Sequence, residues 1–294
     1  MKILFTGTAG MLAAEIVPVV MREKHQVVLT DINRRLPDID ALDVTVKEDV
    51  LRKVGRMRPD YIFHLAAETD VDLCEKDPDH AFRVNTLGTQ NIVSACKDLG
   101  VKLVYISTGA VFDGNKPDPY TEFDDPAPVN IYGQSKLQGE VIVTDQLTDY
   151  FIIRAGWMVG GWELDKKFVY KIVCQLKEGK KKLMAVEDKS GSPTFTKDFA
   201  ANILKVINTR RFGLYHMANK GTCTRYDMAV KIVEFMGLTD EVKIEPVGSD
   251  KFPLPAPRAR SEMMRNYKLD LLGLNNMPHW EESLADYIRI NRDK

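Results

Sequence analysis

Tyr132 and Lys136 are placed to transfer a proton together. They stand four residues apart in the stretch Tyr132-Gly133-Gln134-Ser135-Lys136, a spacing that puts two side chains one above the other on one face of a helix. A neighbouring ammonium group favours the phenolate, so we expect Lys136 to lower the pKa of Tyr132 from its ordinary value of about 10. Such a phenol can protonate a carbonyl oxygen, or accept a proton from an alcohol, near neutral pH. The pair alone is weak evidence, because about one such pair is expected by chance in a chain with ten tyrosines.

Two other stretches supply groups that such a proton donor needs. Ser107 and Thr108 follow an apolar run at residues 102–106, and a hydroxyl at the carboxyl end of a parallel strand faces the crevice where open α/β sheets bind ligands. The loop from Gly7 to Ala13 fits the pattern G-x-x-G-x-x-G, except that Ala13 replaces the last glycine. Glycines let the backbone approach a pyrophosphate, and the helix N-terminus beyond them offers unpaired N–H groups. Its strand–loop–helix setting makes this motif a strong indication of dinucleotide binding.

Together these features resemble the short-chain dehydrogenase/reductase superfamily, in its extended branch that modifies nucleotide sugars, over nearly the whole chain. Within that branch the sequence resembles the dTDP-4-dehydrorhamnose reductases. The further motifs that carry this likeness are Val111-Phe112-Asp113-Gly114, Leu137-x-Gly139-Glu140, Arg154-Ala155-Gly156-Trp157, Gly191-Ser192-Pro193-Thr194 with Asp198-Phe199-Ala200 behind it and, loosely, Pro257-Arg258-Ala259-Arg260-Ser261.

One departure from that family lies beside the position of the reactive carbon. These reductases usually read S-T-D-Y-V-F, whereas this chain reads Ser107-Thr108-Gly109-Ala110-Val111-Phe112. Because an acid and a tyrosine are missing, we expect a roomier pocket. We also expect poor reduction of dTDP-4-dehydrorhamnose, with a related 4-keto-6-deoxy sugar nucleotide preferred.

The resemblance implies an NAD(P)H-dependent oxidoreductase that reduces the C4 carbonyl of a 4-keto-6-deoxy sugar nucleotide. Tyr132 would protonate the alkoxide, Thr108 would hydrogen-bond the carbonyl oxygen, and Lys136 would also hold the nicotinamide ribose. Two alternatives stay open: a nucleotide-sugar 4-epimerase, and a non-catalytic regulatory subunit resembling that of methionine adenosyltransferase. A 4,6-dehydratase is excluded because Gly109-Ala110 replaces its Asp-Glu pair. A GDP-fucose synthase is excluded because no cysteine stands near Thr108 in the sequence.

The resemblance also assigns residues to the site. Asn85, in a V-N-x-x-G-x-x-N pattern, would help to organise an active-site water and the lysine, and Trp157 would lay its indole face against the sugar ring. The expected catalytic residues are Thr108, Tyr132, Lys136 and Asn85. The expected cofactor-binding residues are Gly7, Thr8, Ala9, Gly10, Met11, Leu12, Asp31, Ile32, Asp43, Val44, Leu65, Ala66, Ala67, Thr69, Ser107, Tyr132, Lys136 and Arg154. The expected substrate-binding residues are Thr108, Phe112, Tyr132, Trp157 and Arg258.

Asp31 bears on the choice between NAD(H) and NADP(H). It ends the second predicted strand, where a carboxylate accepts hydrogen bonds from the adenosine ribose and repels a 2′-phosphate. Arg34 and Arg35 follow closely and could pair with such a phosphate. We therefore expect use of both cofactors, with NADH slightly favoured.

Alternating strands and helices predict an α/β fold with a doubly wound parallel sheet of Rossmann type and a smaller C-terminal α/β substrate lobe. We expect a dinucleotide-binding domain over residues 1–156 and a substrate-binding lobe over 157–294, with elements at about 196–217 returning to the main sheet. The six strands predicted for the first domain are Lys2–Thr6, Gln26–Thr30, Leu42–Val44, Tyr61–Ala67, Lys102–Ile106 and Tyr150–Ala155.

Composition narrows the cellular setting. The net charge of −1 indicates no nucleic-acid partner, and the sequence contains no apolar stretch long enough to span a membrane. Four scattered cysteines and five histidines lack metal-ligand spacing and suit a reducing compartment. We therefore expect a cytoplasmic monomer or homodimer without a metal, acting on a sugar nucleotide.

Overall fold

The computed structural model describes residues 1–33, 38–165 and 167–292. Its largest element is a seven-stranded parallel sheet in the order β3-β2-β1-β4-β5-β6-β11. The strands of the described residues are β1 (Lys2–Thr6), β2 (Gln26–Asp31), β3 (Asp40–Ala41), β4 (Tyr61–His64), β5 (Lys102–Thr108), β6 (Tyr150–Ala155), β7 (Trp157–Val159), β8 (Lys182–Val186), β9 (Ser190–Gly191), β10 (Pro193–Phe195), β11 (Gly213–His216), β12 (Cys223–Thr224), β13 (Lys243–Val247) and β14 (Ser261–Glu262).

Helices cover both faces of this sheet. The α-helices are α1 (Met11–Arg22), α2 (Lys47–Met57), α3 (Val71–Lys76), α4 (Pro78–Phe82), α5 (Gly88–Leu99), α6 (Ile131–Gln146), α7 (Phe168–Lys177), α8 (Thr196–Asn208), α9 (Arg225–Phe235), α10 (Tyr267–Leu271) and α11 (Trp280–Asn291). One apolar core joins α1 and α8 to the sheet, and a second core on the other face joins α2, α5 and α6 to it. The central strands are apolar almost throughout, as expected of parallel strands buried on both faces. The predicted doubly wound α/β fold is confirmed.

The second half of the chain adds smaller sheets. These pair β7 with β10, β8 with β13, and β9 with both β12 and β14. A separate core holds them against α7, α9 and α11, with Trp280 and Met228 among its buried members. The strand β11 belongs to the second half of the sequence but joins the main sheet, where it pairs in parallel with β6. This pairing places His216 opposite Arg154. The division of the chain at residue 156 stays a prediction.

The third and fourth strands differ most from the prediction, while β2 ends at Asp31 rather than Thr30 and β5 ends at Thr108 rather than Ile106. The third strand is Asp40–Ala41 rather than Leu42–Val44. Leu42 and Val44 are instead buried under α2 and α5, while Asp43 Oδ1 accepts hydrogen bonds from Thr45 N and Oγ1 and turns the chain. The fourth strand ends at His64 rather than at Ala67. Within the described residues, the structure contains no helix of the length and apolar character that a membrane span requires.

Candidate active site

The glycine loop between β1 and α1 has the geometry of a phosphate cradle. Gly7 has a φ of +72°, and a Cβ added there would lie 2.5 Å from Ala66 N, so this approach of β1 to the chain after β4 admits only glycine. The N-cap of α1 is Gly10, which makes no side-chain capping bond. The first N–H groups of the helix are therefore left for a ligand, and a helix N-terminus favours an anion.

Asp31 is tied to this loop. Its Oδ2 accepts a hydrogen bond from Ala9 N at 2.9 Å, and its Oδ1 accepts one from Asn33 N at 2.6 Å. The side chain is 8% exposed. Because each carboxylate oxygen can accept a second bond, Asp31 both holds the loop and can receive a ribose hydroxyl. Arg34 and Arg35, which bear on the 2′-phosphate, lie outside the described residues.

The other residues expected at the cofactor also lie beyond the carboxyl ends of strands. Ile32 follows β2 and is 73% exposed, and Asp43 and Val44 follow β3. The segment from Leu65 to Thr69 follows β4, with Leu65 N bonded to Thr6 O at 3.2 Å. The topology of the parallel sheet therefore brings most of the predicted cofactor residues to one edge, where open α/β sheets bind ligands.

Helix α6 carries Tyr132 to the end of β5. The helix begins after Asn130, whose Oδ1 accepts a hydrogen bond from Gly133 N at 2.8 Å. A Cβ added at Gly133 would lie 2.2 Å from Ala110 O, so glycine lets the helix approach the turn after β5. Tyr132 is thereby placed beside Thr108, whose side chain acts to lower the pKa of the phenol. A phenol and a hydroxyl that lie side by side can bind one carbonyl oxygen together.

The two ionisable groups of this helix have shifted pKa values. Burial raises the pKa of Tyr132 to about 12, a shift that the Thr108 side chain opposes. Burial also lowers the pKa of Lys136 to about 7, against the attraction of Glu140. The expectation that Lys136 lowers the pKa of Tyr132 is wrong in this structure. The Lys136 Nζ lies 4.1 Å from the ring centroid of Tyr105, and loss of water dominates at the phenol.

Asn85 lies one layer behind the phenol. It is fully buried in a π-helical turn at Arg83–Leu87. Its Nδ2 donates to Glu68 O and to Ser135 Oγ, both at 3.0 Å, and its Oδ1 accepts from Glu68 N at 2.8 Å. Ser135 Oγ in turn donates to Tyr132 O at 2.8 Å. Asn85 therefore fixes the loop after β4 to the first turn of α6.

Ser107 and Arg154 belong to a buried network rather than to the open crevice. Ser107 Oγ donates to Glu140 Oε1 at 2.5 Å. Arg154 donates to the same carboxylate through Nε at 2.9 Å and Nη2 at 2.6 Å. The partners of this ion pair are each 4% exposed. Ser107 and Arg154, both predicted to bind the cofactor, therefore use these side-chain atoms to join β5 and β6 to α6.

Phe112 is a core residue. It has no exposed surface, and its ring stacks on that of Tyr120 with centroids 4.1 Å apart. The guanidinium carbon of Arg154 lies 5.1 Å from the Phe112 ring centroid. This packing contradicts the predicted contact between Phe112 and substrate, because a side chain without exposed surface cannot line a pocket.

The region of Gly109 is filled by a residue from the end of the chain. A Cβ added at Gly109 would lie 3.0 Å from Met264 Sδ, and Gly109 and Ala110 are both buried. The pocket is therefore not enlarged at this position, and the expected extra room is wrong here. Met264 occupies the space into which a longer side chain at Gly109 would project.

The indole of Trp157 is enclosed on both faces. The guanidinium carbon of Arg225 lies 3.8 Å from its ring centroid. A Cβ added at Gly191 would lie 2.4 Å from Cε2, and its three nearest atoms would all belong to the ring. Gly191 therefore packs on the face opposite Arg225, since a guanidinium on the same face would be among those nearest atoms. This packing contradicts the expected stacking of a sugar on an indole face.

Cys74 stands near the phenol, contrary to the impression from the sequence. It lies on α3, is fully buried, and its charge when ionised would raise the pKa of Tyr132. Burial raises the pKa of the Cys74 thiol to about 12, and Glu68 adds to the shift. A thiol with that pKa stays protonated near neutral pH, which does not suit the base of an epimerase. Its proximity therefore does not favour the GDP-fucose synthase reaction.

Arg258, a predicted substrate-binding residue, pairs with an acid of α3. Its Nη2 donates to Asp72 Oδ1 at 2.9 Å, and its Nη1 donates to Ala256 O at 2.8 Å. Arg258 O accepts a hydrogen bond from Lys189 Nζ at 2.9 Å. Arg258 therefore links the smaller lobe to α3, the helix that carries Cys74. In the described part of the chain, no cluster of histidine, cysteine and acidic side chains has the arrangement of a metal site.

The comparisons with known proteins agree with this geometry. A protein-family model described as "RmlD substrate binding domain" matches residues 1–292. The chain belongs to the RmlD substrate binding domain family. The family predicted from the motifs is thereby confirmed.

Relatives of this RmlD family member match over almost their full length. A dTDP-4-keto-6-deoxy-D-glucose reductase from Streptomyces niveus is 32% identical, with 99% of this chain and 98% of the relative covered. The solved structure of a dTDP-4-dehydrorhamnose reductase from Clostridium acetobutylicum is 36% identical, covers 99% of this chain and 100% of its own, and has a TM-score of 0.92. That of a dTDP-4-dehydrorhamnose reductase from Bacillus anthracis, in complex with NADP, is 34% identical, covers 99% of both chains and has a TM-score of 0.90.

Several groups at the site of this RmlD family member had no signal in the sequence. Glu262, Arg225 and Met264 come from the last third of the chain and reach Trp157 or Gly109 only through the fold. Cys74 reaches Tyr132 because α3 packs against α6. No local motif marks such long-range contacts.

Proposed function

We propose that this protein reduces the C4 carbonyl of a 4-keto-6-deoxy sugar nucleotide, using a nicotinamide cofactor. The observation that carries the proposal is the placement of Tyr132, on the first turn of α6, beside Thr108 at the carboxyl end of β5, on the same sheet edge as the uncapped helix after Gly10. Near-full-length relatives named as dTDP-linked keto-sugar reductases support the same substrate class.

The residues of the chain fit a dinucleotide. The close contact at Gly7 and the uncapped N-terminus of α1 suit a pyrophosphate, and Asp31 suits the adenosine ribose. Lys136 would hold the nicotinamide ribose, and the segment from Leu65 to Thr69 would line the groove. When bound, the reduced nicotinamide supplies the hydride that C4 accepts.

Three side chains then complete the reaction. Thr108 donates a hydrogen bond to the carbonyl oxygen, which orients the sugar and stabilises the charge that develops there. Tyr132 gives its proton to the same oxygen as it becomes an alkoxide. Because the pKa of Tyr132 is about 12, the phenol is protonated near neutral pH and is ready to act as the acid. Asn85 acts indirectly, by holding the first turn of α6.

The proposal includes use of both cofactors, with NADH slightly favoured. A buried carboxylate beside a 2′-phosphate is unfavourable unless a cation intervenes, and Asp31 is 8% exposed. The relative from Bacillus anthracis was solved with NADP, which supports use of NADPH as well.

A direct assay tests the proposal. The purified protein is mixed with NADH or NADPH and with dTDP-4-keto-6-deoxyglucose or dTDP-4-dehydrorhamnose, and cofactor oxidation is followed by absorbance. Mass spectrometry should find a product two hydrogens heavier than the substrate, with one cofactor oxidised per sugar. A protein that interconverts sugar epimers without net cofactor oxidation would be an epimerase, and one that does neither would not be a reductase of this class.

A further inference from the structure

The carboxylate of Glu262 contacts Trp157 and lies close enough to Tyr132 for its charge to act on that phenol. Its Oε2 accepts a hydrogen bond from Trp157 Nε1 at 2.7 Å. Its charge also acts on Tyr132, since it raises the pKa of that phenol. The residue comes from β14, which pairs in parallel with β9, and its side chain is partly exposed. Glu262 thus contacts the edge of the indole and lies in the neighbourhood of the proton donor.

One oxygen of this carboxylate remains for a ligand. Within the described residues, Oε2 has its bond from Trp157, while Oε1 has no hydrogen-bond partner. An ionised carboxylate only accepts hydrogen bonds, so the group completing Oε1 must carry an O–H or N–H. The bond to Trp157, whose ring is held between Arg225 and Gly191, fixes the direction in which Oε1 points.

The charges around Glu262 select a neutral donor over a cationic one. Burial raises the pKa of its carboxyl, while Arg225, Arg258 and Lys189 oppose that shift. Three cations therefore already face one carboxylate, and a substrate ammonium would add a fourth positive charge at short range. A hydroxyl meets no such repulsion.

The chemistry of the substrate class then identifies the hydroxyl. In a 4-keto-6-deoxy sugar, the two ring carbons beside the carbonyl are C3, which bears a hydroxyl, and C5, which bears a methyl group. Thr108 and Tyr132 hold the carbonyl oxygen, so a carboxylate beside Tyr132 can take a hydrogen bond only from the C3 side.

We propose that Glu262 is a specificity-determining residue that accepts a hydrogen bond from the C3 hydroxyl of the 4-keto sugar. The proposal rests on the proposed function. The segment after Thr108 lacks an acid, and Gly109 in that segment is packed against Met264. In this proposal Glu262, on β14, supplies the acid instead.

The test compares two substrates in one set of variants. Wild type, Glu262→Ala, Glu262→Gln and Trp157→Phe are assayed for kcat/KM with a dTDP-4-keto-6-deoxy sugar and with its 3-deoxy analogue. A hydrogen bond to a charged group contributes about 1.5–3 kcal/mol, so Glu262→Ala should lose roughly 10- to 100-fold with the hydroxylated sugar. With the 3-deoxy analogue it should change less than about threefold.

Comparing the two substrates distinguishes a direct contact between Glu262 and the sugar from an indirect role of Glu262 in holding Trp157. If Glu262 only holds Trp157, Glu262→Ala lowers kcat/KM equally for both sugars, and the proposal is overturned. Trp157→Phe removes the indole N–H that orients Glu262 and keeps a ring, so it should reduce the preference for the hydroxylated sugar, but by less than Glu262→Ala does. Glu241→Gln, an exposed acid of the same lobe, is the control for charge alone and should match wild type.

Two further outcomes are decisive. If Glu262→Ala does not fold, Glu262→Gln keeps an acceptor for Trp157 and must still reduce the preference for the hydroxylated sugar several-fold. An unchanged preference in that variant also overturns the proposal. If wild type reduces neither sugar, the proposed function fails together with this inference, whereas activity with an equal loss on both sugars defeats this inference alone.

Discussion

Replacing Arg154 by methionine should cost the protein much of its stability. Arg154 and Glu140 form a two-bond ion pair, with N–O distances of 2.9 and 2.6 Å, and both side chains are 4% exposed. Arg154→Met leaves the Glu140 carboxylate buried without its cation. Removal of one partner from a buried pair typically costs about 3–5 kcal/mol.

This loss is large compared with the total free energy of unfolding of a protein domain. Domains are commonly stable by about 5–15 kcal/mol, and each kcal/mol shifts the Tm by roughly 2–4 °C in chains of 150–250 residues. We therefore expect the Tm of Arg154→Met to fall by roughly 10 °C. Urea unfolding should show a lower midpoint at nearly the same slope, because the surface exposed on unfolding is unchanged.

A double variant supplies the control. Glu140→Gln with Arg154→Met removes both charges and keeps an acceptor for Ser107 Oγ, which donates to Glu140 in the wild type. Because neither member of the ion pair is left behind as a buried charge without the other, the double variant should recover at least half of the stability lost by Arg154→Met. A loss below about 1 kcal/mol for Arg154→Met, or a double variant no more stable than the single one, would refute the reasoning.

Three other predictions test the site residues. Lys136→Met should be more stable than wild type at pH 7, because burial lowers the Lys136 pKa to about 7 and the unfolded wild-type chain therefore binds one more proton than the folded chain between pH 7 and 10. The stability of wild type then rises with pH, so the advantage of the variant should shrink in thermal melts taken across that range. An advantage that does not change with pH would contradict this origin. Gly133→Ala should lower the free energy of unfolding by about 1–3 kcal/mol and remove most of the activity, because the added Cβ would lie 2.2 Å from Ala110 O. The control Gly55→Ala, with no atom within 4 Å of its Cβ, should be neutral or stabilising in the same melts. Equal effects of the two variants would show that the close approach at Gly133 is unimportant. Asp31→Asn keeps an acceptor for Ala9 N and removes the charge, so kcat/KM with NADPH should rise relative to NADH, and an unchanged ratio would remove Asp31 from cofactor selection.

Much of the fold could be predicted because its signals are local. The apolar runs that form β1, β5 and β6 are each bounded by turn residues or helices, and β6 has the predicted bounds Tyr150–Ala155. Leu42 and Val44 gave a misleading strand signal. Their side chains are buried by tertiary packing against α2 and α5, which apolar character alone cannot distinguish from a strand.

The site could be predicted only where a motif lies on one element. Tyr132 and Lys136 lie one turn apart on α6, as their spacing requires, and Thr108 ends β5. Their pKa values depend on burial, which the sequence does not give, so the predicted direction for Tyr132 was wrong. Phe112 belongs to a family motif yet packs in the core. Glu262 reaches Trp157 across 105 positions of sequence, a contact that only the folded chain creates.

The central claim, that Tyr132 protonates the substrate carbonyl, is tested most directly by Tyr132→Phe. The variant removes the transferable proton and keeps the ring, so cofactor dissociation constants measured by fluorescence titration should match those of wild type. Turnover of a 4-keto-6-deoxy sugar nucleotide should fall by roughly 10²- to 10⁴-fold, the contribution typical of a general acid. Cofactor binding that is intact together with turnover near the wild-type rate would contradict the account.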